Sequence, residues 1–416
     1  MINSKKKGFT IVELVIVIAV VAILAAVLIP TFSSLVRKAN IANDTAVAKN
    51  LNTAAISANA QDFDSAIKAA QESGYILANL NAKAEGCYFV WDDVNKQFLL
   101  VDIEDNYKVI YSNTGASAKE NWYVAVNNTE DIASIEAAGC KVKKIAASYD
   151  DLSDSIALGG EVYVDESVII DDDNLIVIED AEKDVTLNLG NSVLSTNGVL
   201  TGKVPISVNS GTLNIKGGVI NGAGMITDMD GEKVGNTILV DYEGKLNIDG
   251  TVFNVAVPGY LCIAGESTIK NTTINTENIG IYSIGTIVVE NTTINAKGRV
   301  VWACNHAENA ADAGLITIKS GKYTGGSSNW AAITTCGSFV KIEGGEFKTN
   351  EGAKFFQIHN NDNGGLSIRS TIVITGGTFN GVAFENIKDW NSLCGKDTKA
   401  TVSADGKTVT ISSSAK

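Results

Sequence analysis

Arginine is scarce in this chain. Only three of its 33 basic residues are arginines, Arg37, Arg299 and Arg369, and they face 47 acidic residues. The guanidinium fork is the side chain best suited to gripping phosphate or carboxylate through two bonds at once. A formal charge of −14 and a pI near 4.7 also repel polyanions, so the composition argues against nucleic-acid and anionic-lipid partners. Cysteine carries no metal signature: Cys87, Cys140, Cys262, Cys304, Cys336 and Cys394 include no close pair of the kind that structural zinc sites use. Proline is nearly missing from the first 70 residues, where Pro30 stands alone. Only one residue there interrupts a helical reading.

What occupies that stretch is a long apolar run. From Phe9 to Ile29, 21 residues carry only Thr10 and Glu13 as polar side chains, and about 20 apolar residues suffice to cross a hydrocarbon core. Lys5, Lys6 and Lys7 precede the run, which holds the short N-terminus in the cytoplasm and sends the rest outward. Glu13 requires a reason, because a carboxylate in a bilayer costs roughly 2.5–3.5 kcal/mol and usually has a partner. The run itself offers no cation. A secretory signal has a shorter apolar core, about 7–15 residues, before a small-residue cleavage site; a plain anchor explains neither Glu13 nor Gly8. In an exported chain an even number of cysteines permits disulfides. Cys87 with Cys140 is the candidate pair, while Cys262, Cys304 and Cys336 read as small-residue filling.

Lys5-Lys6-Lys7-Gly8 followed by Phe9-Thr10-Ile11-Val12-Glu13-Leu14, with Pro30 further along, resembles the N-terminus of type IV prepilins and type II secretion pseudopilins. The resemblance covers about the first 40 residues. It implies cleavage between Gly8 and Phe9 by a membrane-embedded prepilin peptidase, N-methylation of Phe9, and a helix kink at Pro30. It also supplies a partner for Glu13, the Phe9 amine of a neighbouring subunit, in a layer where low dielectric strengthens such a pair. The partners implied are other pilin subunits, the prepilin peptidase, the pilus or secretion assembly machinery, and the inner membrane before assembly. The body would be extracellular, anchored by one helix and carried on a surface fibre.

Beyond the anchor, Ala46, Leu51, Ala54, Ala55 and Ala58, then Phe63, Ile67 and Ala70, recur at helical spacing and predict a continuing helix with a break near Asn59. CYFVWDDVNKQFLLVD predicts a hairpin turning at Asp92–Lys96, and Tyr107–Tyr111 a further strand. This head resembles pilin-like proteins of Gram-positive anaerobes.

The rest of the chain repeats. VTLNLGNSVLS at 185 is followed by LNIKGGVIN, LNIDGTVFN, TIKNTTIN, IVVENTTIN, ITIKSGKYT, VKIEGGEFK and IVITGGTFN. Their marker residues, Leu189, Ile215, Ile248, Ile269, Val289, Ile318, Ile342 and Ile374, are 20 to 33 residues apart. Such a period indicates a solenoid. Within each unit, alternation on both sides of a two-residue bend makes two short strands, and stacked units bury a shared face. The pattern resembles a right-handed parallel β-helix of the pectate-lyase-like kind. Residues 151–170 read as a short helix leading to the first rung, and TVSADGKTVTIS at 401–412 as a hairpin that covers the last edge.

Catalytic patterns are thin. Asp171-Asp172-Asp173 reads as a solvated turn; Asp228-x-Asp230-Gly231 begins like a calcium loop without the later ligands; His306 beside Arg299, and His359 near Asp362, fall in long insertions. No carboxylate pair recurs at rung spacing to place two acids within reach of one bond. The aromatics of the insertions, Tyr260, Tyr282, Trp302 and Trp330, suit either packing or stacking on sugar rings.

The expected organisation is mixed: leader 1–8, transmembrane and assembly helix 9–29, its continuation 30–72, a small α+β head 73–150, and a predominantly β right-handed parallel β-helix with terminal hairpin from 151 to 416. The expected function is a pilin-like, or pseudopilin, subunit at a minor or tip position. Its β-helix would mediate adhesion or interaction, with Trp302 and Trp330 stacking on a glycan or other surface ligand. No catalytic residues, metal or cofactors are assigned. The alternative is an envelope-tethered carbohydrate-active enzyme, lyase or hydrolase, that uses a pilin leader.

Overall fold

The computed structural model describes residues 11–75, 82–126, 131–165, 167–227, 233–255, 259–305, 314–360, 370–381 and 387–414. Lys5, Lys6, Lys7, Gly8 and Phe9 lie outside them, as do Asp228, Asp230, Gly231, His306, Asp362 and Arg369. The chain forms a long N-terminal helix followed by a large sheet-rich region. It divides into two compact units, residues 1–126 with 130–142, and 127–129 with 143–416.

In the first unit, α1 (Ile11–Ser57) is one helix of 47 residues with Pro30 in its interior. It stops before Asn59, whose φ of 52° takes the chain out of helical geometry. α2 (Phe63–Glu72) restarts behind a capping box in which the Asp62 carboxylate accepts from the Ser65 N–H and the Ser65 hydroxyl accepts from the Asp62 N–H. β1 (Cys87–Asp92), β2 (Gln97–Asp102), β3 (Lys108–Tyr111) and β4 (Trp122–Val126) form an antiparallel sheet in the order β3-β2-β1-β4. The β1–β2 hairpin closes on buried Asp92, which accepts from the N–H groups of Val94, Asn95 and Ser117. Burial pushes that carboxyl's pKa up, but the bonds from Ser117 and Asn95 outweigh it and leave the value below the ordinary one. α1 docks on β2 through buried Asn52, whose amide donates to the Phe98 carbonyl at 2.8 Å and accepts from the Phe98 N–H at 2.6 Å.

α3 (Ile132–Ala137) presses Ile135 into a cluster with Val90, Leu99, Val124, Cys140 and Tyr88. That cluster corrects the disulfide expectation. Cys87 and Cys140 are both buried free thiols. Tyr88 shares Cys140's side of β1, so Cys87, one residue earlier in an alternating strand, faces the opposite side, near Arg37 and Asp102. An even cysteine count carries no information about sheet faces.

The second unit begins with α4 (Tyr149–Leu158), whose Ser148 cap accepts from the Asp151 N–H and whose Leu152 and Ile156 enter the core. Three ladders of short strands follow. The first runs through residues 160–163, 185–188, 212–216, 245–249, Glu266–Lys270, Thr286–Glu290, Leu315–Ile318, Phe339–Ile342 and Thr371–Ile374. Ile215, Ile248, Ile269, Val289, Ile318, Ile342 and Ile374 stand opposite one another in a single column, at most 1% exposed. Those are seven of the eight marker residues. The eighth differs: Leu187, not Leu189, opposes Ile215, because an extra residue bulges before Gly190. The bends use left-handed backbone at Gly217, Gly218, Asn271 and Asn291, and at Gly218 a Cβ would lie 2.3 Å from that of Leu189.

The second ladder places Leu194, Ile220, Phe253, Ile274, Ile294, Tyr323, Phe347 and Phe379 in one buried column. Its last three rings stack with centroids 4.8 and 4.7 Å apart, which matches the spacing of adjacent strands, about 4.8 Å. The third ladder contributes Ile206, Ile238, Leu261, Ile281, Val301 and Ile333 to the same interior. At the C-terminal end, Thr398–Val402 and Thr408–Ser413 form a hairpin whose second strand pairs antiparallel with Gly377–Asn380.

A polar residue interrupts the first ladder's core columns. Ser267 stands between Leu246 and Ile287, 6% exposed, and its hydroxyl has no hydrogen-bond partner among the described residues. A buried, unsatisfied polar group costs about 1–3 kcal/mol. Ser267→Val should therefore raise the stability of the sheet-rich unit by about 1 kcal/mol, seen as a higher urea midpoint at unchanged slope. A fall in the midpoint would show that the hydroxyl is satisfied or the space too small.

Candidate functional site

Three features stand out, each built on a different element. The first is the N-terminal part of α1. Ile11, Val12, Leu14, Val15, Ile16, Val17 and Ile18, and further along Val20, Val21, Ile23, Leu24, Leu28, Ile29, Phe32, Leu35 and Val36, are 44% or more exposed, and the most apolar 18-residue window has a mean hydropathy of 3.2 with none of it buried. So large an apolar surface requires cover, by lipid or by other helices. Glu13 lies in the first turn of this surface. An acid near a helix N-terminus is favoured by the helix dipole.

The second feature is a row of asparagines outside the second ladder. Asn254 donates to Asn221, Asn275 to Asn254 and Asn295 to Asn275, each at 2.9 Å. Asn254, Asn275 and Asn295 line an open groove of about 720 Å³ that Ser327 and Asn350 also line, and in which Lys297 pairs with Glu277 at 2.5 Å. The inner amides, Asn254 and Asn275, each spend one donor and one acceptor along the row, which leaves further hydrogen-bonding capacity.

The third feature lies on the outer face of the third ladder, where Leu239, Cys262, Tyr282, Trp302 and Thr334 stand in register. Tyr260 and Tyr282 rings are 5.3 Å apart, and Tyr282 and Trp302 5.0 Å. Arg299 extends this column. Its guanidinium carbon sits 4.3 Å from the Trp302 ring centre and 3.7 Å from that of Trp330, and its Nε donates to the Thr334 hydroxyl at 3.1 Å. Burial draws its pKa down to about 10, so it stays charged at neutral pH. Trp302 and Trp330, paired in the sequence reading as sugar platforms, are thus brought together, and Arg299 fills the space between them. One face of Trp330 is taken; the residue remains 45% exposed. Cys304 and Cys336 are adjacent in register and both free, with Cys304 raised to about 12 by burial and then by Cys336.

The other candidates are not assembled. Asp171 accepts from the Asp173 N–H in an exposed turn, and exposed His359 stands opposite Cys336 at a strand end. Among the described residues no three of His, Cys, Asp and Glu converge as a metal cluster would.

Comparison with known proteins gives the first feature its meaning. Residues 3–29 match the prokaryotic N-terminal methylation motif. The type IV major fimbrial protein FimA of Dichelobacter nodosus is 30% identical over 157 residues, which is 92% of that protein and 36% of this chain. The chain belongs to the type IV pilin family. The type IV wide pilus major component PilA4 of Thermus thermophilus is 56% identical to this pilin over 48 residues, 34% of its own length and 12% of this chain. No solved structure matches. Family membership assigns the exposed face of α1 to assembly with other pilin subunits through the pilus machinery, and fits anchoring in a membrane beforehand.

Proposed function

We propose that this pilin is a minor or tip subunit whose N-terminal helix polymerises and whose sheet-rich unit is a binding body for adhesion. The observation that carries this is one of proportion. A fimbrial protein matched along 92% of its length accounts for 36% of this chain, while the second unit alone runs from 143 to 416. A body of that size on every subunit would crowd a fibre whose helices repeat at close intervals. A sparse position relieves the crowding. The three parallel ladders support a right-handed parallel β-helix of the pectate-lyase-like kind as the architecture of the body, and its outer faces carry the groove and the tryptophan pair. In this reading the peptidase cuts between Gly8 and Phe9, guided by Lys5, Lys6 and Lys7, Phe9 is methylated, and Pro30 marks a bend between the packed and the displayed parts of the helix. Quantitative mass spectrometry of isolated fibres tests the reading. This chain should appear well below the abundance of a smaller pilin in the same fibres; fibres made of this chain alone would overturn it.

A further inference from the structure

We infer that Arg299 is the anion-reading group of a sugar site on the outer face of the third ladder, and that its ligand is a carboxylated sugar. The carboxylate of one sugar residue would meet the rim of the guanidinium, and a neighbouring ring of the same oligosaccharide would lie over the open face of Trp330. The inference rests on the reading of the sheet-rich unit as a binding body.

It starts from an unbalanced charge. Arg299 is 6% exposed, and among the described residues its only side-chain hydrogen bond goes from Nε to the neutral Thr334 hydroxyl. Among the described residues no carboxylate pairs with it, although the chain has 47 acidic residues to draw on. The contrast with Arg37 is direct: that side chain is 40% exposed and yet pairs with Asp102 at 2.6 Å. A cation withdrawn from water without a counter-charge is costly, and cation–π contacts offset only part of that cost.

The geometry then selects the partner. Trp302 and Trp330 stand over the guanidinium at 4.3 and 3.7 Å, so what is left to a ligand is the edge that carries the terminal nitrogens. An edge of parallel N–H donors matches a planar carboxylate through two bonds. Beside it, Trp330 is 45% exposed, and an open indole face suits the C–H face of a pyranose ring more than a peptide side chain. The molecule as a whole, at −14, repels acidic ligands, so a local cation decides where they sit.

Titration of the full-length protein in detergent with a glucuronate trisaccharide, its carboxyl-reduced glucose counterpart and triglutamate tests this. The glucuronate should bind, and the reduced sugar about tenfold more weakly or worse, the loss of one charged hydrogen-bonded pair. Arg299→Lys keeps the charge but loses the fork and should weaken glucuronate by a similar factor while leaving the reduced sugar unchanged. Trp330→Ala should weaken both sugars. The comparison of the two sugars uses unaltered protein, so it stands even if a variant misfolds. Equal binding of both sugars would overturn the role of Arg299 and leave the binding-body reading intact. Triglutamate binding as tightly as glucuronate would overturn the sugar assignment in favour of an acidic protein partner. No binding of glucuronate at low salt would overturn the inference outright, whereas failure of the subunit assignment would appear separately, in fibre abundance.

Discussion

Glu13→Ala is expected to leave cleavage after Gly8 near normal while incorporation into fibres falls sharply. In the proposed processing the peptidase reads the glycine and the lysines before it, which the substitution leaves in place. Assembly differs, because the exposed face of α1 must pack against copies of itself, and Glu13 lies in its first turn. If the Phe9 amine of a neighbouring subunit meets this carboxylate, removing one partner of a buried pair costs roughly 3–5 kcal/mol, which is two to three orders of magnitude in an equilibrium constant at about 1.4 kcal/mol per tenfold. Glu13→Asp, with the charge kept and the reach shortened, should fall between. A plain anchor makes the opposite forecast, since removing a carboxylate from lipid eases insertion. N-terminal mass spectrometry reads cleavage and methylation; fibre immunoblots read incorporation. An alanine variant cleaved at Gly8 and incorporated at wild-type levels would end the pairing proposal.

Phe347→Ala should be the most damaging single change in the sheet-rich unit, at about 3–5 kcal/mol. The side chain is 1% exposed and stacks on Tyr323 at 4.8 Å and Phe379 at 4.7 Å. Its loss leaves a ring-sized void between two rungs that hydrogen bonds already hold at fixed spacing, so neither neighbour can close in. Phe347→Leu keeps most of the volume and should cost less than half as much. Urea denaturation followed by the β signal in circular dichroism would show the difference. A midpoint for the alanine variant close to wild type would mean that the stack is not part of the cooperative core.

Much of this was legible in the sequence because stacking is a demanding constraint. Seven marker residues recur as Ile or Val, and all seven fall in one column, since a parallel register leaves each only its counterpart above and below. Leu189 misled because the pattern cannot reveal a bulge: Leu187 and Leu189 alternate alike, and both are buried. The helix break at Asn59, the hairpin at Asp92 and the closing hairpin at Gly406 were legible for a local reason, as each rests on residues that tolerate or stabilise a turn. The site on the third ladder was only half visible. Trp302 and Trp330 could be named as aromatics of insertions, but Arg299 lies 35 residues from its Thr334 partner. Nothing short of the ladder register shows that a turn and two strands one rung apart converge there. The pairing of Cys87 with Cys140 failed on a similar point, since it depended on which face of β1 each thiol occupies.

The closing hairpin also has a consequence for how copies of this pilin can meet. A stack of parallel rungs ends, in principle, in a template on which another chain could keep adding strands. Here the final strand of the second ladder, Gly377–Asn380, is paired with Thr408–Ser413 running in the opposite direction, and the strand beyond it, Thr398–Val402, is five residues long and carries Lys399. Short, charged edges discourage further strand addition. Growth along that ladder is therefore terminated within the monomer, while the exposed apolar face of α1 is free for assembly. Fibre extension and fibril-like aggregation are thereby kept on separate parts of one chain.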